Sequence, residues 1–257
     1  MQDLTVTIVQ ESIIWQDPPA NREKFGQLMH EHGRDSDLVI LPETFTTGFN
    51  ITDTRHAETM TGETVEWLRR CAAEINADIA GSVLIREGDQ FFNRLLWAKP
   101  DGSVTTYDKR HLFSFAGEDK TYTAGRERVI VDCKGWRCSP QICYDLRFPV
   151  WSRNRKDYDL LVYVANWPKV RVGHWSSLLT ARAIENLSYT VGVNRVGEDG
   201  GGHAHNGQSV VLDPKGKPIV EPGSRAGCYT VTLDYAELQR YRNKFGALDD
   251  ADEFAIK

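Results

Sequence analysis

The chain of 257 residues is short of the features that mark whole classes of protein. It has five cysteines, an odd number, at Cys71, Cys133, Cys138, Cys143 and Cys228, and no two form a C-x-x-C pair. This excludes a zinc ribbon or a paired disulfide framework and reads as free thiols in a reducing compartment. Basic residues are in deficit, 31 Lys and Arg against 36 Asp and Glu, for a formal net charge of -5. Such a chain has no basic stripe for a phosphate backbone, so nucleic acid is not an expected partner. No stretch approaches the ~18 consecutive apolar residues of a membrane span. The opening residues carry no signal-peptide pattern, which gives a cytoplasmic protein without a membrane partner as the expectation. No G-x-G-x-x-G follows a strand pattern, which leaves dinucleotide binding without support. Internal repeats, low-complexity tracts and Ser/Pro linkers are absent too, and one domain over residues 1–257 is expected.

What is present is a regular alternation. Hydrophobic periodicity predicts strands over 4–10, 37–41, 78–85, 91–98, 104–107, 129–132, 136–142, 160–165, 190–196, 208–212, 219–220 and 228–233. It predicts helices over 18–32, 61–76, 146–155, 173–188 and 235–244, with Thr61 as the N-cap of the second. Turn signals such as Glu87-Gly88-Asp89 and Pro100-Asp101-Gly102 join several strands as hairpins. An α/β protein with mixed sheets covered by helices follows, rather than a purely parallel doubly wound sheet.

Three places combine position with reactive chemistry. Glu43 follows the apolar run 37–41 directly, its backbone fixed by Pro42. The end of a strand in an α/β sheet is where binding sites gather. Lys109 sits in Tyr107-Asp108-Lys109-Arg110-His111-Leu112-Phe113, a cation able to lower a thiol pKa and then hold an oxyanion. Cys143 falls where a strand gives way to a helix, in Gln141-Ile142-Cys143-Tyr144-Asp145-Leu146-Arg147-Phe148. That is the geometry of a nucleophile elbow, and a helix N-terminus there favours thiolate. His111 and His174 read better as structural histidines than as partners of a Cys–His peptidase. Arg182 and Glu185 form an i, i+3 helix pair, and Arg147 reads as an ion-pair partner of Asp145.

Order and spacing resemble the nitrilase, or carbon–nitrogen hydrolase, superfamily: 66 residues from Glu43 to Lys109 and 34 from Lys109 to Cys143. The likeness runs on through Val164-Ala165-Asn166-Trp167-Pro168, Arg171, His174-Trp175, 181–186 and 194–197 and covers nearly the whole chain. Residues 144–186 and 250–254 are similar to the omega-amidase branch. The resemblance implies a four-layer α-β-β-α sandwich that dimerises through helices. It also implies Glu43, Lys109 and Cys143 as a catalytic triad, with a second acid at Glu118, or at Asp119 beside it, that orients the lysine or the substrate.

These residue types suit amide hydrolysis through a cysteine thioester, with no cofactor and no metal. In that scheme Glu43 is the general base, and Lys109 with the backbone N–H of Tyr144 holds the oxyanion. The likeness to the omega-amidase branch implies a small dicarboxylate monoamide such as 2-oxoglutaramate or 2-oxosuccinamate as substrate. Arg171 is expected to bind its remote carboxylate, with Trp167 as pocket wall and Lys169 and Arg110 as rivals. The alternatives are another hydrolase of the superfamily acting on a nitrile or an N-carbamoyl amine, a Cys–His peptidase, or a non-catalytic dimeric binding protein.

Overall fold

The computed structural model describes residues 2–256. It opens with β1 (Leu4–Gln10), α1 (Pro18–His32), β2 (Leu38–Ile40), α2 (Glu63–Ile75), β3 (Asp78–Glu87), β4 (Gln90–Ala98) and β5 (Val104–Asp108). After two 3-10 turns come β6 (Val131–Cys133), β7 (Trp136–Ile142), a 3-10 turn Cys143–Arg147, α3 (Pro149–Ser152), β8 (Leu160–Ala165), α4 (Val172–Asn186) and β9 (Tyr189–Asn194). The chain closes with β10 (Val196–Glu198), β11 (Ala204–Asn206), β12 (Ser209–Leu212), β13 (Pro218–Gly223), β14 (Gly227–Leu233) and α5 (Tyr235–Lys244).

Two six-stranded mixed sheets result, ordered β14-β1-β2-β3-β4-β5 and β13-β12-β9-β8-β7-β6. Each has a parallel centre, β1-β2-β3 in the first and β7-β8-β9 in the second, flanked by antiparallel strands. One core lies between the sheets, with Val6, Ile40 and Trp97 of the first facing Cys138, Val162 and Val191 of the second. A second core packs α1 and α2 on the outer face of the first sheet through Phe25, Met29, Leu68 and Ile75. A third packs α4 on the outer face of the second through Trp175, Leu179 and Ala183. The layers are therefore α-β-β-α. Covering both faces explains why Leu160–Ala165 is apolar without alternation: every residue of it is buried.

Three details depart from the sequence pattern. α2 begins at Glu63 with Gly62 as its cap, because Glu58 reaches forward to accept from the Thr64 backbone N–H at 2.7 Å. The Thr61 hydroxyl pairs instead with Thr59 at 3.0 Å. The single helix expected over 146–155 is replaced by a five-residue 3-10 turn and the four-residue α3. Pro149 is the cause, since the residue before a proline is driven out of the helical region, and Phe148 stands at φ -117°, ψ 85°. Finally, the expected strand over 190–196 ends at Asn194, and the chain leaves the sheet in a separate two-stranded ribbon, β10 with β11. Among the described residues no helix is long and apolar enough to cross a membrane.

Candidate active site

The C-terminal ends of β2, β5, β7 and β8 converge on one spot. Glu43 follows β2, Lys109 follows β5, Cys143 follows β7 and Asn166 follows β8, so each sheet supplies half of the group. Two of the turns that present these residues are strained: Thr44 stands at φ +42° and Cys143 at φ +43°, left-handed conformations that cost a non-glycine residue about 1–2 kcal/mol. Such strain persists only where surrounding bonds enforce it. At Thr44 they come from Ser82, whose hydroxyl accepts from the Thr44 N–H at 2.8 Å, and from the Asn166 side chain, which donates to the Glu43 carbonyl at 2.6 Å.

The Cys143 turn is tied to the Lys109 strand by Asp145. This fully buried carboxylate accepts from the Ile142 N–H at 3.0 Å, the Tyr107 hydroxyl at 2.8 Å, the His111 N–H at 2.9 Å and the His111 Nδ1 at 2.8 Å. His111 is stacked on Phe148, ring centroids 3.8 Å apart. The tyrosine and histidine around Lys109 and the aspartate after Cys143 thus form one connection between the two halves of the site. Asp145 is consequently not the partner of Arg147, as the sequence had suggested.

Lys109 is almost wholly buried between two carboxylates that are buried as well. Its Nζ lies 2.9 Å from Glu43 Oε1 and 3.1 and 3.0 Å from the two oxygens of Glu118. Glu118 also accepts from the Phe113 N–H at 2.5 Å, whereas Asp119 is exposed; the second acid beside the lysine is Glu118. Burial disfavours the charge on Lys109 most, but Glu118 and Glu43 together outweigh it and hold the ammonium well above the ordinary lysine range. Burial raises the Glu118 carboxyl, with Lys109 opposing.

Cys143 opens into a cavity of about 240 Å³ together with Glu43, Lys109 and Asn166. Burial pushes its thiol well above the usual range, the Glu43 carboxylate pushes the same way, and Lys109 opposes both. The expectation that a helix N-terminus would favour thiolate is corrected here. The helix is one short 3-10 turn, and a carboxylate stands against the sulfur. Burial and the carboxylate both favour the protonated thiol. Of the five cysteines only Cys143 lines this cavity; Cys71 and Cys228 are raised by burial to about 11 and about 12. Iodoacetamide is therefore expected to label Cys143 first because of access and base assistance. Peptide mapping after brief alkylation checks this, and earlier labelling of Cys133 or Cys138 would contradict it.

Tyr144, Trp167 and Arg171 all line the cavity wall. Trp167 donates its indole N–H to the Arg171 carbonyl at 2.7 Å, and the Arg171 guanidinium lies over the Phe113 ring at 5.4 Å. The rivals are elsewhere. Arg110 donates to the Gly125 carbonyl at 3.0 Å and sits over Trp151, and Lys169 is exposed outside the cavity. His111 and His174 do not line the cavity either, so neither pairs with Cys143 there. The Arg182–Glu185 pair is made at 2.9 Å.

Several cavity residues had escaped the sequence reading. Arg147 stacks over Trp167 at 4.9 Å and Tyr144 at 6.0 Å, and donates to His174 Nδ1 at 3.2 Å. Among the described residues neither Arg147 nor Arg171 has a carboxylate at ion-pair distance. Asp199, His203 and His205, from the β10–β11 ribbon, also line the cavity. Asp199 is held by the His203 N–H at 2.9 Å, and burial followed by the charge of Arg195 pushes His205 down to about 4. Asn166 lay inside a quoted motif without a role.

A two-sheet α-β-β-α sandwich with a glutamate, a lysine and a cysteine at the joined strand ends defines a hydrolase of the nitrilase superfamily. The carbon–nitrogen hydrolase family model matches residues 5–243, and the chain belongs to that family. It is 47% identical over the whole of both chains to the omega-amidase YafV of Yersinia enterocolitica, and 31% identical to a 2-oxoglutaramate amidase of Bacillus subtilis, covering 96% of each. Among solved structures, a CN-hydrolase superfamily protein of Xanthomonas campestris with an arsenic adduct in its active site superposes with a TM-score of 0.98. That protein is 49% identical, and the match covers all of both chains. Nit3 of Saccharomyces cerevisiae, a branch 10 member of the nitrilase superfamily, matches with a TM-score of 0.85 at 25% identity over 95% and 94% of the two chains.

Proposed function

We propose that this protein is an amidohydrolase of the omega-amidase type. It releases ammonia from a small dicarboxylate monoamide such as 2-oxoglutaramate or 2-oxosuccinamate. The observation that carries this reading is one cavity lined by Glu43, Lys109 and Cys143, with Glu118 bonded to the lysine, and by two guanidiniums, Arg147 and Arg171, that among the described residues have no carboxylate partner. The first group suits an acyl transfer and the second a carboxylate.

In this mechanism Glu43 takes the thiol proton as the Cys143 sulfur attacks the amide carbon. The oxyanion is held by the Lys109 ammonium and the backbone N–H of Tyr144, which is in the first turn of the 3-10 segment, where N–H groups lack partners inside the helix. Glu118 holds Lys109 in place. The C–N bond breaks as Glu43 returns the proton to departing ammonia, leaving a thioester on Cys143. Glu43 then takes a proton from water as the water oxygen attacks the thioester carbon, and returns it to the sulfur as the C–S bond breaks and the acid leaves. No step calls on a cofactor. The protein acts in the cytoplasm as a homodimer joined through its helix layer, where Val150 of α3 and Ile184 of α4 are 55% and 49% exposed.

A charged hydrogen bond contributes about 1.5–3 kcal/mol, and 1.4 kcal/mol is a factor of ten. Arg171→Gln and Arg147→Gln are therefore each expected to raise KM for 2-oxoglutaramate about ten- to a hundredfold. A neutral amide of equal length is expected to be little affected. Ammonia release from both substrates by wild type and variants checks this, and equal kcat/KM for the two in wild type would overturn the substrate class.

A further inference from the structure

Among the described residues the Glu43 carboxylate receives three hydrogen bonds, and they are unevenly shared. Oε1 accepts from the Asn93 side-chain amide at 2.8 Å and from Lys109 Nζ at 2.9 Å. Oε2 accepts only from the backbone N–H of Asn166, at 2.7 Å. A carboxylate oxygen offers about two lone-pair sites. Oε1 is thus filled by two groups, an ammonium and an amide N–H₂, that can only donate. A proton placed there would have to displace one of them. Oε2 keeps a site open.

We propose that the two oxygens of Glu43 have separate tasks: Asn93 and Lys109 pin Oε1, and Oε2 takes the thiol proton and returns it to the leaving amine. Asn93 is then a positioning residue that enforces the division. The proposal rests on Glu43 acting as the base. The orientation of Asn93 supports it. The residue is on β4, 1% exposed, and among the described residues its Oδ1 has no partner. Turning the amide over would set Oδ1 against the carboxylate, so the unpartnered acceptor accompanies a donor aimed at Glu43. Asn166 adds a bond that side-chain substitution does not remove, because its donor to Oε2 is main chain. The ionisable groups around Glu43 are Lys109 after β5, Glu118 in the following 3-10 turn, Cys143 after β7 and Tyr122 beyond Glu118.

Removing the Asn93 donor takes one of the two bonds from Oε1 and leaves Oε2 intact. Asn93→Ala is expected to move the acid limb of the pH–rate profile up by about one pH unit, with the plateau rate falling about three- to tenfold. Asn93→Asp, which sets a second carboxylate against the first, is expected to move the limb further. The pH dependence of Cys143 alkylation by iodoacetamide reads the same limb without any substrate, so its outcome does not depend on which amide the enzyme takes. Asn93→Ser, the mildest change, decides the matter if the aspartate variant does not fold. An unchanged limb in folded variants, with a uniform loss at every pH, would make Asn93 merely structural. A plateau that rises when Oε1 is freed would identify Oε1 as the proton carrier and overturn the assignment.

Discussion

Cys143→Ala is expected to fold, to bind substrate and to release no ammonia above background, a loss of about 10⁴-fold or more in kcat. The nucleophile forms the bond that divides one difficult substitution into two easier ones, and no other thiol lines the cavity. Alanine fills less space and adds no polar group, so the fold is retained. Cys143→Gly makes a useful companion. Cys143 stands at φ +43°, a conformation glycine adopts without penalty. The glycine variant is expected to be as inactive as the alanine one and more stable by about 1 kcal/mol, the strain that the reactive side chain imposes. Ammonia assays with thermal unfolding check both. Turnover surviving in Cys143→Ala would remove the thioester route.

Lys109→Gln is expected to damage activity and stability together. Loss of an oxyanion donor costs about two to three orders of magnitude in kcat. The same change leaves the buried carboxylates of Glu43 and Glu118 without the cation between them. Removing one partner of a buried ion pair costs about 3–5 kcal/mol. In a chain of this length each kcal/mol lowers Tm by about 2–4 °C. Adding Glu118→Gln removes the repulsion, so the double variant is expected to regain part of the stability and none of the rate. Differential scanning calorimetry beside single-turnover kinetics separates the two effects. Trapping a borohydride-reducible adduct on Lys109 during turnover would give the lysine a covalent role and contradict the electrostatic one.

How far the sequence discloses the molecule differs from place to place. The buried strands were legible because continuous apolar runs such as 160–165 have few other uses. The strand-end positions of Glu43 and Cys143 followed from them. The 3-10 turn after Cys143 was not, although Pro149 was in view, because a proline permits either a helix start or a break. Arg147 was misread for a different reason. Sequence proximity made Asp145 its natural partner, but that carboxylate is used up by Ile142, Tyr107 and His111, from which the guanidinium is free to turn toward Trp167. Asp199, His203 and His205 reach the cavity from a ribbon whose strands have three residues each, too short to show any periodicity. Asn93 gave no signal at all, since a lone polar residue in a strand becomes informative only when what it touches is known.

Because Glu43 and Lys109 come from one sheet and Cys143 and Asn166 from the other, catalytic competence requires both sheets to be formed and docked. A chain with only its first half assembled holds a base and a cation but no nucleophile. A second half alone holds a thiol with no base beside it to draw off the proton. Long-range pairing such as β1 with β14, residues 4–10 against 227–233, forms slowly because so much chain must be closed first. During that interval the nascent protein carries no working acyl-transfer centre. Docking of the two layers is thus the event that arms the enzyme, and recovery of amidase activity on refolding should trail the recovery of secondary structure.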